Sequence, residues 1–135
     1  MSKRHTSIEL LKYADKYTSY HEGDVIFREG ESGKHMYVVK AGSVELRVMD
    51  LVIETLNPGD VLGEMALLDD EPRSATAVAA SDCQLVSLDR EKFQYMVRQS
   101  PYFAIEVMQV MAKRLRHMNR ETGIRRRPPG TGGKA

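Results

Sequence analysis

Between residues 58 and 77 stand three side chains whose types suit an anionic ligand that also carries hydroxyls: Glu64, Arg73 and Ser74. Arginine offers a planar fork of donors that matches phosphate oxygens, and Ser74 adds a neutral donor beside it. Gly63-Glu64 precedes Met65-Ala66-Leu67-Leu68, a stretch long enough for one helical turn. The first N–H groups of such a turn lack intrahelical partners and welcome an anion. A carboxylate next to a phosphate is repulsive, so Glu64 fits only if it accepts from a hydroxyl of the same ligand. Sugar hydroxyl and phosphate read together spell a nucleotide. Taken singly, Arg73 equally suits a surface pairing with Asp69, Asp70 or Glu71, and Glu64 a solvated carboxylate.

Other chemistries find little to work with. One cysteine, Cys83, excludes an intramolecular disulfide framework, a cysteine-rich zinc site and a multi-cysteine iron–sulfur cluster; it reads as a small core residue. His21, His35 and His117 are dispersed and no His-x-His occurs, so no metal site is expected. Hydrolysis of a nucleotide would need a metal cluster or an activated nucleophile near Glu64 and Arg73, and neither can be assembled. The expectation is binding without catalysis: not an enzyme.

The 135 residues suffice for one domain with a real core. Basic and acidic side chains nearly balance at +1, but unevenly. Up to Ala112 there are 12 basic and 18 acidic side chains; from Lys113 onward there are 8 and 1. No apolar run approaches the roughly 18 residues of a membrane span, and no secretory signal follows the basic start. A cytoplasmic protein without membrane contact is the expectation.

The elements that must position these residues can be read from texture. Ile8, Leu11 and Ala14 recur at helical spacing over 7–17, with Ser7 able to cap the first turn. Over 20–88, short apolar stretches alternate with Gly-rich turns at 22–24, 29–33, 41–43 and 57–60, the pattern of an antiparallel all-β sandwich or barrel. Val44, Leu46 and Val48 alternate with Glu45, Arg47 and Met49 as a half-buried strand; 75–80 and 84–88 read as two more. Asp89 caps a helix over 89–99, and Ser100-Pro101 opens another over 101–121. In the last helix Ala104, Met108, Met111, Leu115 and Met118 follow a 4-3-4-3 spacing, the seam of a coiled coil or of lengthwise packing on its own domain. Residues 123–135 are basic and rich in Gly and Pro, and read as a disordered tail beyond a domain over 1–122.

Gly63-Glu64-Met65-Ala66-Leu67-Leu68 followed by Pro72-Arg73-Ser74-Ala75-Thr76 resembles the phosphate-binding cassette of cyclic nucleotide-binding domains. Gly23-Asp24, Gly30, Gly33, Met36 to Val39, Gly42 and Pro58-Gly59-Asp60 stand where that family has its turns and strands. The resemblance implies a mainly β fold with flanking helices (α+β). Its parts would be an eight-stranded antiparallel, jelly-roll-like β-roll, an N-terminal helix, a short cassette helix and two C-terminal helices. It further implies that Glu64 accepts from the ribose 2′-hydroxyl, and that Gly63, Met65 and Ala66 offer backbone contacts to the cyclic phosphate. Arg73 would pair with that phosphate, Ser74 donate to phosphate or base, and Val61 and Leu62 form an apolar wall. Arg114 is placed to reach Glu64 or the ribose, and Met118 and Asn119 stand where family members cap the base. The implied ligand is cAMP, with cGMP as the alternative, since Ser74 suits anti adenine or the 2-amino group of syn guanine. The implied protein is a stand-alone sensor that signals through its last helix to an unidentified effector or to a homodimer formed by 101–121. The alternative is an interaction module that has lost its ligand. A helix-turn-helix would need about 60–80 further residues, so no specific DNA binding is expected.

Overall fold

In the computed structural model the backbone is described over residues 7–123 and the side chains over 7–117. Eight strands form two four-stranded antiparallel sheets. The strands are β1 (Thr18–Tyr20), β2 (Val25–Phe27), β3 (His35–Ala41), β4 (Val44–Val48), β5 (Leu51–Leu56), β6 (Val61–Leu62), β7 (Thr76–Ala79) and β8 (Cys83–Asp89). One sheet runs β1-β8-β3-β6 and the other β2-β7-β4-β5. Four helices flank them: α1 (Ser7–Leu10), α2 (Glu64–Asp69), α3 (Arg90–Gln99) and α4 (Tyr102–Gly123). This is the mainly β roll with flanking helices that the cassette resemblance implies.

The alternation of side chains along a strand gives the roll two cores. Val39, Leu62 and Leu85 face inward and pack with Phe27, Val44, Leu46, Leu56 and Ala77 from the facing sheet. Their immediate neighbours Val38, Val61 and Val86 face outward and meet Ile8, Leu67, Phe103 and Val107 of the helices. The first sheet is therefore buried on both faces.

Turn geometry departs from the sequence expectation at β4–β5. The strand ends at Val48, because Met49 and Asp50 both take positive φ (52° and 67°) and form a two-residue hairpin. Such turns match the strand twist and recruit Gly, Asn or Asp, so Asp50 suits the turn while Met49 does not announce it. Gly42 follows the rule: at φ +81° an added Cβ would sit 2.2 Å from the Asp82 carbonyl.

The helix expected over 7–17 is shorter. After α1 comes a single 3-10 turn, Leu11–Tyr13, and Ala14 is already extended. Leu10 and Tyr13 are exposed, so only a narrow face is buried, and the chain leaves to pair Thr18 with Leu85 on the edge of β8. The N-terminus of α1 is held from a distance: the Ile8 amide donates to Oε1 of Glu106 on α4. The hydroxyls of Ser7 and Ser100, both read as caps, bond each other at 2.8 Å instead of a helix amide. Asp89 does cap α3, accepting from the Lys92 amide at 2.8 Å.

Helix α4 packs with a different stripe from the one its heptads suggest. Phe103, Glu106 and Val107 are buried, with Val110 and Arg114 partly so, whereas Met108 and Leu115 of the expected seam are exposed. Met118 and Asn119 lie beyond the described side chains, and the tail expected over 123–135 falls, after Gly123, outside the described residues.

Candidate functional site

The 62–77 segment is pinned at both ends before any side chain reaches a ligand. Gly63 takes φ +80° as the residue before α2, and its carbonyl faces the Leu67 amide at 3.4 Å. Helix α2 is stopped after six residues by Asp70, itself at φ 52°. Ala66 and Leu67 bury the helix against the first sheet, and Arg90 donates to the Leu67 carbonyl at 2.6 Å, satisfying part of its C-terminal end. Further on, the Arg73 amide donates to the Glu31 carbonyl and the Gly30 amide to the Arg73 carbonyl, each at 2.8 Å. These paired bonds fix Arg73 against the β2–β3 loop and direct its side chain into the roll.

There Arg73 is 6% exposed. Nη1 donates to the carbonyls of His35 (2.9 Å) and Gly63 (3.3 Å), and the group lies 4.1 Å from the centre of the Phe27 ring, a cation–π contact. Its buried Nε has no hydrogen-bond partner, and among the described residues no carboxylate is ion-paired with it. Burial pushes its pKa below the ordinary arginine value, against the partial support of Tyr37, Glu31 and Glu64; it remains a cation at neutral pH. Two glycines make room for it. A Cβ on Gly33 would lie 2.3 Å from the guanidinium, and one on Gly63 2.6 Å from Nη1.

Glu64, 2% exposed, opens α2 directly after Gly63, whose carbonyl accepts from Arg73. Its Oε1 accepts from Nη1 of Arg114 at 2.7 Å. Arg114, reaching over from α4, also donates to the Val61 carbonyl at 2.6 Å and from Nε to Glu54 on β5 at 2.9 Å. Burial opposes the Arg114 charge, but Glu64 and Glu54 outweigh it and hold its pKa above the ordinary value. The last helix is thus tied by one side chain to the cassette and to both sheets.

Gly63, Glu64, Met65, Ala66, Arg73, Ser74 and Arg114 line one cavity, completed by Phe27, Leu46 and Ala75. Ser74 stands exposed on its rim. Val61 and Leu62 are placed elsewhere: Leu62 belongs to the inner core and Val61 to the outer one, with only the Val61 carbonyl turned to Arg114. Sequence reasoning overlooked Gly33, Phe27 and Glu54. Phe27 carries no motif, and Gly33 looks like one more turn glycine until Arg73 is seen against it. The cavity measures about 30 Å³, with both arginine side chains among its walls. That is far below the roughly 300 Å³ of a small-molecule site. Chemically, the lining offers one buried cation without a counter-ion, a carboxylate with one oxygen engaged, and an exposed hydroxyl.

Comparison with known proteins matches the cyclic nucleotide-binding domain family model to residues 17–100. The Cyclic AMP receptor protein of Thermus thermophilus is 37% identical over 110 residues, covering 78% of this chain and 51% of the relative. The cAMP-dependent protein kinase regulatory subunit of Eremothecium gossypii is 42% identical over 73 residues, covering 54% of this chain and 16% of the relative. Among solved structures, the catabolite activator protein of Thermus thermophilus superposes with a TM-score of 0.73 at 32% identity, covering 87% of this chain and 58% of that one. The chain spans about half the length of the first of these relatives and far less of the second.

Proposed function

The chain belongs to the cyclic nucleotide-binding domain family, and on that premise we propose that it is a sensor module that binds cAMP in the roll and signals through movement of α4. The observation that carries this reading is Arg73: a buried residue whose guanidinium has no carboxylate counter-ion among the described residues and an unsatisfied Nε, set beside the first turn of α2. A cyclic phosphodiester brings a single negative charge, which one arginine, a few backbone amides and Ser74 suffice to meet. A di- or triphosphate would call for more charge or a metal ion. In this assignment Arg73 pairs with the cyclic phosphate and Glu64 accepts from the ribose 2′-hydroxyl. Gly63, Met65 and Ala66 approach through their backbones, and the site binds without catalysis.

The route from site to output runs through Arg114. It joins Glu64 to α4, so a ligand that engages Glu64 bears directly on the last helix. A ligand shifts such an equilibrium only by its differential affinity for the two arrangements; here the arginines must give up part of the cavity for the nucleotide to enter. The exposed Ile105, Met108 and Leu115 on α4 support a second copy of the chain as the partner that reads the movement. cAMP comes first because both relatives above are cAMP proteins by name; cGMP is the alternative that Ser74 also suits. The small cavity favours a second reading, an interaction module of the same fold that has lost its ligand.

Calorimetric titration with cAMP and cGMP separates the two readings. Saturable binding of either at micromolar concentration, absent with 5′-AMP, is the expected result. Silence at millimolar nucleotide would overturn the sensor reading in favour of the second.

A further inference from the structure

Glu54 is a charged, partly exposed residue on the inward-turned side of the edge strand β5. It lies two residues before Leu56, which is fully buried, and so on the same face of β5. Its register partner is Leu46, an inner-core residue that also lines the cavity. Between Glu54 and Val52 the register slips, leaving Ile53 as an extra residue opposite the Leu46–Arg47 step. Bulges of this kind re-aim a side chain, and what Glu54 meets is Arg114. Its two oxygens take Nε at 2.9 Å and Nη2 at 3.4 Å, a two-pronged grip on the guanidinium edge. The remaining Nη1 is left to Glu64, of which it takes Oε1; no donor among the described residues takes Oε2.

We propose that Glu54 is a positioning residue of the nucleotide site: it orients Arg114, and through Arg114 the Glu64 carboxylate, so that Oε2 of Glu64 faces the sugar hydroxyl. The proposal rests on the functional reading above and adds the residue that sets its selectivity for a 2′-hydroxyl. Without Glu54 the Arg114 guanidinium keeps only Glu64 and the Val61 carbonyl, and nothing holds its Nε edge. Glu64 then loses a fixed orientation while remaining buried. The cost falls on the one ligand group that Glu64 reads and not on the phosphate held by Arg73.

The test compares cAMP with 2′-deoxy-cAMP by calorimetry on wild type, Glu54→Gln and Glu54→Asp, with circular dichroism to establish the fold. Wild type is expected to prefer cAMP by about tenfold or more, the worth of a hydrogen bond to a charged acceptor. Glu54→Gln should weaken cAMP by about three- to tenfold and leave 2′-deoxy-cAMP nearly unchanged, so that the preference collapses. Glu54→Asp, which keeps the charge, should recover part of it. Equal loss for both nucleotides, or tighter binding of both through removal of a negative charge, would overturn the inference alone. Failure of wild type to bind either nucleotide would overturn the sensor reading and this inference with it.

Discussion

Replacing Arg73 by alanine separates its contribution to the fold from its contribution to the ligand. In the fold, the guanidinium gives up a 2.9 Å bond to the His35 carbonyl, a longer one to Gly63 and the stack on Phe27. Charged donors to neutral acceptors contribute about 1.5–3 kcal/mol each, and a desolvated cation–π contact about 2 kcal/mol. Against these stands the burial of a cation with an orphaned Nε, which costs about 1–3 kcal/mol. These opposing contributions leave a net loss of about 2–7 kcal/mol, so the urea curve establishes that the variant is folded before its affinity is read. In binding, no such offset exists. A phosphate in this cavity would lose its nearest cation and remain desolvated, which costs roughly 2–5 kcal/mol, or about 30-fold and upward in affinity. Urea denaturation followed by calorimetry with cAMP reads the two effects on one preparation. Affinity within threefold of wild type would refute the assignment of Arg73 to the phosphate, whatever the change in stability.

Gly33→Ala places a Cβ 2.3 Å from the Arg73 guanidinium without any positive-φ penalty at residue 33, so the flexible side chain gives way rather than the backbone. cAMP affinity is expected to fall by about tenfold or more, with a loss of stability no larger than that of Arg73→Ala; unchanged affinity would show that Arg73 has a second productive pose. Met108→Glu, on the exposed stripe of α4, should halve the mass measured by light scattering while leaving the melting curve of the fold in place. An identical monomeric mass for wild type and variant would remove the α4 dimer. Burial, followed by the charges of Asp82 and Asp24, pushes the Cys83 thiol up. The native protein should therefore react slowly with a disulfide reagent at pH 8 and rapidly once unfolded. Because the folded pKa is the higher one, the stability it contributes is present below the ordinary thiol value, about 8.5, and declines as pH rises beyond it. Rapid native labelling would contradict that placement.

The cassette was legible because its chemistry is written in residue types: a glycine and a carboxylate before a short apolar run, then Pro72-Arg73-Ser74. The roll was legible in the alternation of Val44, Leu46 and Val48. What escaped is what depends on long-range geometry. Met49 hides the hairpin turn at Met49-Asp50, since the fold imposes positive φ on a methionine, which does not favour it. In α4 both faces carry apolar side chains, so periodicity alone could not tell the face that packs, with Phe103 and Val107, from the one left exposed, with Met108 and Leu115. The polar members of the packed face, Glu106 and Arg114, are invisible to a hydrophobic pattern because their partners, Ile8 and the pair Glu54 and Glu64, lie 50 or more residues away. Val61 and Leu62, expected together as a ligand wall, turn to opposite sides of the sheet because they are consecutive in a strand.

That same alternation makes the first sheet a bulkhead. Val38 and Val39, Val61 and Leu62, Leu85 and Val86 are neighbours in the chain, yet each pair is divided between the inner core of the roll and the compartment shared with the helices that the ligand is proposed to move. Lesions of Val39, Leu62 or Leu85 on the inner side would be felt as loss of folded protein. Lesions one residue away would leave the roll standing and blunt what the helices transmit. A mutational scan of these strands would then show two interleaved phenotypes, abundance and responsiveness, alternating residue by residue along a single stretch of sequence.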